Sequence, residues 1–145
     1  MKAKVINESP ERTIALILDR GDEVVRTLER FATDQQLHAS RFTAIGAFER
    51  VTLGYFDWER KDYLRIPVDE QVEVLSLVGD LALDAERPKL HVHAVLGRRD
   101  GSTLGGHLLE AIVRPTLEVL LIESPGYLRR KRDPVSGLHL IDIDE

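Results

Sequence analysis

Residues 89–108 read KLHVHAVLGRRDGSTLGGHL. Up to Leu96 the side chains alternate in character, the period of a strand with one face against a core. Arg98-Arg99-Asp100-Gly101-Ser102 follows, and Asp-Gly between apolar runs is a strong hairpin signal. The chain is therefore expected to return antiparallel through Gly105-Gly106-His107. Side chains two apart in a strand share a face, so His91 and His93 project side by side, about 7 Å apart at Cβ. The hairpin could bring His107 back beside them. The two glycines let backbone or ligand approach closely. Three imidazoles with an open fourth position make a metal site able to hold water or substrate. The same pattern also suits three histidines on a solvated or subunit-contacting sheet face with nothing bound. The residues alone leave both readings open.

Gln71 to Leu83 (QVEVLSLVGDLAL) reads as a long apolar strand with Gly79 as its bulge. Ala85 to Pro88 turn it into the histidine hairpin. Beyond His107, LLEAIVRPTLEVLLIE is apolar and β-rich, but Pro115 should break it, leaving Thr116 to Ile122 as a separate core strand. Near the start, Arg12 to Leu18 (RTIALIL) reads as a buried strand closed by Asp19 to Gly21. Asp22 is the expected helix cap, with Glu23 in the first turn. Val24, Val25, Leu28, Phe31 and Ala32 then recur at helical spacing, and the stripe runs to about Leu37. His38, just past it, reads as a helix-end residue. Strands follow from Ser40 to Tyr63, interrupted by Gly46 and Gly54, with a turn over Asp57 to Asp62. Tyr63 to Ile66 return as strand, and Pro67 ends it. Tyr55, Phe56 and Trp58 read first as packing and second as a stacking platform for nucleotides. Tyr127 onward reads as a basic, polar loop, and Leu138 to Ile143 as an edge strand carrying His139. The fold class is α+β: a mainly antiparallel sheet with one main early helix, in a single compact domain over residues 1–145.

Composition narrows the function. The chain has 145 residues and 43% hydrophobic content, enough for one domain with a real core. It has no cysteine, so disulfides and thiolate metal sites are excluded. The N-terminus lacks a signal-peptide core and no apolar run approaches the ~20 residues that span a bilayer, so a soluble, cytoplasmic protein away from membranes is expected. The net charge of −5 disfavours non-specific binding to nucleic acid. The one dense basic run is Arg129-Arg130-Lys131-Arg132, with Arg98 and Arg99 as a smaller one. Each reads first as solvated surface and second as a patch for DNA phosphates.

Several stretches together resemble the plants-and-prokaryotes conserved (PPC, or PCC) domain family over nearly the full chain. They are LDRGDEVVRTLERFA, TAIGAFERVTLGYFD, VEVLSLVGDLAL and HVHAVLGRRDGSTLGGHLLEAIVRPTLEVLLIE. The resemblance implies a compact α+β domain that assembles as a homotrimer. Stand-alone prokaryotic members carry a DNA-binding label, largely by association with plant proteins. Members with HxH and a later GGH are similar to metal-binding versions of the domain, and the fold is similar to acetolactate decarboxylase, whose HxH…H histidines hold zinc. Those roles would fall here on His91, His93 and His107. No AT-hook accompanies them, a departure from the plant pattern. Two functions are thus expected. One is a Zn²⁺ site, or a site for another first-row divalent metal, open to a small carbonyl ligand and usable by an enzyme. The other is a DNA-binding scaffold resting on Arg129, Arg130, Lys131 and Arg132. Glu118, Glu123 and Arg12 are candidates for proton transfer or anion binding by strand position alone.

Overall fold

A computed structural model describes residues 1–7 and 10–143. Among them are one helix and nine strands: β1 (Lys2–Asn7), β2 (Arg12–Asp19), α1 (Val24–Asp34), β3 (Ala39–Asp57), β4 (Asp62–Val68), β5 (Val72–Asp84), β6 (Arg87–Gly97), β7 (Thr103–Glu123), β8 (Arg129–Arg132) and β9 (His139–Asp142). Every pairing is antiparallel except the single parallel bridge between β5 and β8. The long strands make the sheet close on itself, because β3 pairs β5, β5 pairs β6, β6 pairs β7 and β7 returns to β3. Inside lie Phe48, Leu53, Leu77, Leu81, Leu96 and Leu117, each with almost no exposed surface. Helix α1 covers this core with Val24, Leu28, Phe31 and Ala32, all buried, as their three- and four-residue spacing requires. No helix among the described residues is long and apolar enough to cross a membrane.

Several local expectations are corrected. The helix cap is Glu23, not Asp22. The Glu23 carboxylate accepts from the backbone N–H of Val25 at 3.2 Å and of Arg26 at 2.8 Å, and from Ala111 N at 3.3 Å. Asp22 is already used by the preceding turn, accepting from Asp19 N at 3.0 Å. Pro115 does not split its segment, since β7 runs unbroken through it. The β3–β7 ladder steps from Val113 to Leu117 there, so no N–H is demanded of the proline. Pro67 likewise sits within β4, tolerated because β4 pairs only with β3 and is an edge. Gly79 is in regular register with Phe42 and Val92, and the β5 bulge falls between Val74 and Ser76. A Cβ at Gly79 would lie 2.5 Å from the Phe42 ring, so close packing explains the glycine. Gly46 takes φ +153° where the β3–β5 and β3–β7 registers both shift, the extra residues lying on β5 and β7, and a Cβ there would clash with Thr116 O. The basic run after Tyr127 is strand β8, paired with β9, and not a loop.

Candidate metal centre

Two hairpins build the site. Ala85 and Glu86, both at positive φ, turn β5 into β6, and the Arg98–Ser102 turn carries β6 into β7. In that second turn Asp100 accepts from Ser102 N at 2.9 Å, and Gly101 takes φ +82°. The resulting register sets His93 directly opposite His107. His91 lies two residues along β6 on the same outward face, because Val92 and Ala94 take the core side. Gly105 and Gly106 permit the close approach: a Cβ at Gly105 would be 2.8 Å from Ala94 O, and one at Gly106 would be 2.9 Å from Gly54 O.

The three rings converge. Centroids are 5.0 Å apart for His91–His93, 5.3 Å for His91–His107 and 5.4 Å for His93–His107. The Nε2 atoms of His91 and His93 are 3.1 Å apart. Two nitrogens sharing a tetrahedral zinc at its usual bond length sit about 3.3 Å apart, so this pair is spaced for one ion. One ligand atom from each of the three lies within 4.8 Å of the others. His107 is the deepest. Its ring stacks on Tyr63 at 4.6 Å, and its Nδ1 is buried without a hydrogen-bond partner. A buried unpartnered nitrogen is costly in a finished protein, and the His107 ring is left short of one partner among the described residues. Neutral imidazoles are the form that binds a metal. Burial first, then the neighbouring charges of His91 and His93, push the His107 pKa down to about 4. The His91 pKa is also lowered, by burial foremost and against the pull of Asp80. The donor set therefore fits a borderline divalent ion such as zinc.

A cleft opens beside the rings, lined by Tyr63, Leu90, Leu138 and Leu140 with the polar groups of Lys89, Arg130 and His139. The His139 Nδ1 lies 2.8 Å from Asp84 Oδ1, and Lys89 pairs with Glu29 at 3.0 Å. Asp80, opposite His91 in the ladder, holds Oδ2 3.8 Å from His91 Nδ1. Its Oδ1 accepts from Arg130 Nη2. Asp80, Asp84 and His139 had no signal in the sequence beyond residue type. Only the β5–β6 register and the return of β8–β9 reveal them.

The basic run is arranged differently. Arg129 pairs with Glu86, Arg130 with Asp80, and Lys131 with Asp142 at 3.5 Å. The Arg130 side chain is only 5% exposed. Glu123 does not reach the histidines: it accepts from His38 N at 2.7 Å and from the Ser40 hydroxyl, tying the end of β7 to the start of β3. Arg12 donates to Gln35 at 2.7 Å. Glu118 sits on β7 opposite Ile45, beside Leu75 and Leu120 and away from the rings. His38 stacks on Tyr127 at 4.8 Å. Tyr55 and Trp58 are exposed, and Lys61 lies 3.5 Å over the Trp58 ring.

Residues 6–125 match the family model described as the Plants and Prokaryotes Conserved (PCC) domain. A plant- and prokaryote-conserved protein of Pyrococcus horikoshii superimposes with TM-score 0.87 at 30% identity, covering 92% of this chain and 93% of that one. A metal-containing protein of Archaeoglobus fulgidus gives 0.83 at 34% identity, covering 97% and 96%. A protein of Bacteroides thetaiotaomicron, provisionally named as DNA-binding, gives 0.88 at 26% identity, covering 99% of each. In sequence, the chain is 34% identical over 140 residues to the bifunctional protein GlmU of Synechococcus sp. (strain JA-3-3Ab). It spans 92% of its own length in that match but only 21% of the length of GlmU. The α-acetolactate decarboxylase of Bacillus subtilis shares the fold at TM-score 0.54 and 14% identity.

Proposed function

Because the chain belongs to the Plants and Prokaryotes Conserved domain family, we propose that it works through a metal centre held by His91, His93 and His107. The observation that carries this reading is the direct opposition of His93 and His107, with His91 beside them and an unpartnered buried nitrogen on His107. The metal-containing relative from Archaeoglobus fulgidus supports it. Zinc is the first choice of ion and another first-row divalent metal the second. Such an ion, when bound with an open position, supplies a Lewis acid for a carbonyl oxygen or for water. The residues of the chain provide the rest: Tyr63 and Leu90 wall the cleft, and the Asp84–His139 pair offers a group able to hold a proton. The ligand class is a small molecule with a carbonyl or comparable oxygen donor.

Assembly as a trimer is part of this proposal. The row Leu120–Thr43–Val78–His93 runs across four strands through direct register partners. Ile45, Leu75, Val78, Val95 and Leu120 are each about half exposed on or near it. A contiguous exposed apolar face suits a protein partner better than solvent, and a second copy would cover it beside the histidines.

A DNA-binding scaffold is the second reading, favoured by the naming of the Bacteroides thetaiotaomicron relative. The carboxylate partners of Arg129, Arg130 and Lys131 weigh against it, since a cation already paired has less to gain from a phosphate. Elemental analysis of protein purified without an immobilised-metal column separates the readings. About one zinc per chain, lost in His91→Ala, is the expected result. Absence of metal in the wild type even after zinc is supplied would overturn the metal reading.

A further inference from the structure

Arg130 is the anomaly of the basic run. Its neighbours Arg129 and Lys131 are 42% and 71% exposed, while its own side chain is 5% exposed. A guanidinium is buried only where carboxylates or carbonyls receive it. Here Nη2 donates to Asp80 Oδ1, and Nη1 reaches the carbonyl of His139 at 3.3 Å. The remaining donor, Nε, is buried and without a partner. Nε lies on the same edge of the guanidinium as Nη2, the edge that presents two parallel donors to one carboxylate. Asp80 is thus held through Oδ1, and its other oxygen lies 3.8 Å from His91 Nδ1. That gap is longer than a hydrogen bond, and a small rotation of either side chain closes it. Meanwhile Nε2 of the same ring points at His93. The two nitrogens of His91 are therefore assigned opposite tasks.

We infer that Arg130 and Asp80 are positioning residues for the metal centre: Arg130 holds Asp80, and Asp80 orients the His91 ring so that Nε2 faces the ion. This rests on the three-histidine reading proposed above. Metal-bound histidines commonly donate their other ring N–H to a carboxylate, which fixes tautomer and orientation. The chain supplies that carboxylate from β5, opposite His91 in the ladder, and supplies its anchor from β8. β8 lies beyond residues 6–125, the part matching the family model. One arginine of the run thus serves the metal centre and not a phosphate surface.

The test is competitive titration of Co²⁺ and Zn²⁺ against a chromophoric chelator. It uses the full chain and the variants Arg130→Met, Arg130→Lys, Asp80→Asn, Arg130→Met/Asp80→Asn and Arg129→Met. Circular dichroism checks that each is folded. Asp80→Asn keeps the side-chain shape and remains informative where Arg130→Met does not fold. The expected result is a loss of about 10- to 100-fold in affinity for Asp80→Asn and Arg130→Met. Arg130→Lys should recover only part of it, because a lysine pairs with Asp80 as a point charge and lacks the planar fork. The double variant should be no weaker than the worse single one, and Arg129→Met should match the wild type. The visible bands of bound Co²⁺ should shift in Asp80→Asn, a signature that a purely structural clamp between strands would leave alone. Folded variants binding within about twofold of wild type would overturn the inference while leaving the metal centre standing. So would losses that multiply in the double variant, which would mean that Arg130 does not act through Asp80. A wild type that binds neither ion would overturn both.

Discussion

Two clusters of nitrogen-bearing side chains lie within reach of one another, and they differ in what surrounds them. On β6 and β7, three imidazoles face each other with few partners, and one buried nitrogen has none. On β8, four consecutive cations look more conspicuous, yet three are matched by carboxylates from β5, the β5–β6 turn and β9. A cluster is available to a ligand when its own protein has not already satisfied it. The histidines meet that condition, whereas Arg129, Arg130 and Lys131 each already have a carboxylate, with the buried Nε of Arg130 left over. Exposed pairs such as Arg129–Glu86 contribute at most about 1 kcal/mol, but they still lower the charge that a phosphate would meet.

The largest expected effect sharpens the histidine side of the contrast. His93→Ala removes the ring opposite His107, and zinc affinity in a chelator competition should fall by more than about 100-fold, exceeding any loss from an outer group. Next is the backbone that brings the rings together. Gly105→Ala forces a methyl against Ala94 O and pushes β7 from β6. It should cost about 1–3 kcal/mol in chemical denaturation and weaken zinc binding as well. A folded Gly105→Ala with unchanged zinc affinity would break the link between strand spacing and site.

A third prediction concerns pH in metal-free protein. The His107 pKa is pushed down from 6.5 to about 4 in the folded chain. The unfolded chain therefore takes up that proton first, and stability drains away as pH falls through this window. His107→Phe lacks the group. Its stability relative to wild type should rise between pH 6.5 and 4 and level off below. Urea unfolding of both proteins across the range measures this, and a flat difference would mean that His107 is not held neutral. The smallest effect belongs to the basic run. Neutralising Arg129 and Arg132 together should change duplex-DNA affinity by less than about threefold, with a shallow dependence on salt. A steep salt slope that drops by about one unit per arginine removed would erase the contrast.

Much of the fold was legible because local signals agreed. Asp100-Gly101 marked the hairpin, the alternation around His91 and His93 marked the shared face, and the stripe from Val24 to Ala32 marked the helix. Those signals allowed His107 to return beside His91 and His93, and the β6–β7 register brings it there. Other features were not legible, because non-local partners decided them. Pro115 breaks a strand only if its N–H is needed, and β3 skips that position. Asp22 looks like a cap until the turn at Asp19 claims it. Four basic residues in a row say nothing about Asp80, Glu86 and Asp142, which lie on other elements and fix what those cations do. Asp80 could be assigned to His91 only once the β5–β6 register was known.

The most direct measurement is anomalous diffraction at the zinc edge from a crystal equilibrated with zinc. A metal centre at these rings gives one strong peak per chain, about 2.0–2.1 Å from one nitrogen each of His91, His93 and His107. No peak among the three rings, or a peak held only by surface carboxylates, would contradict it.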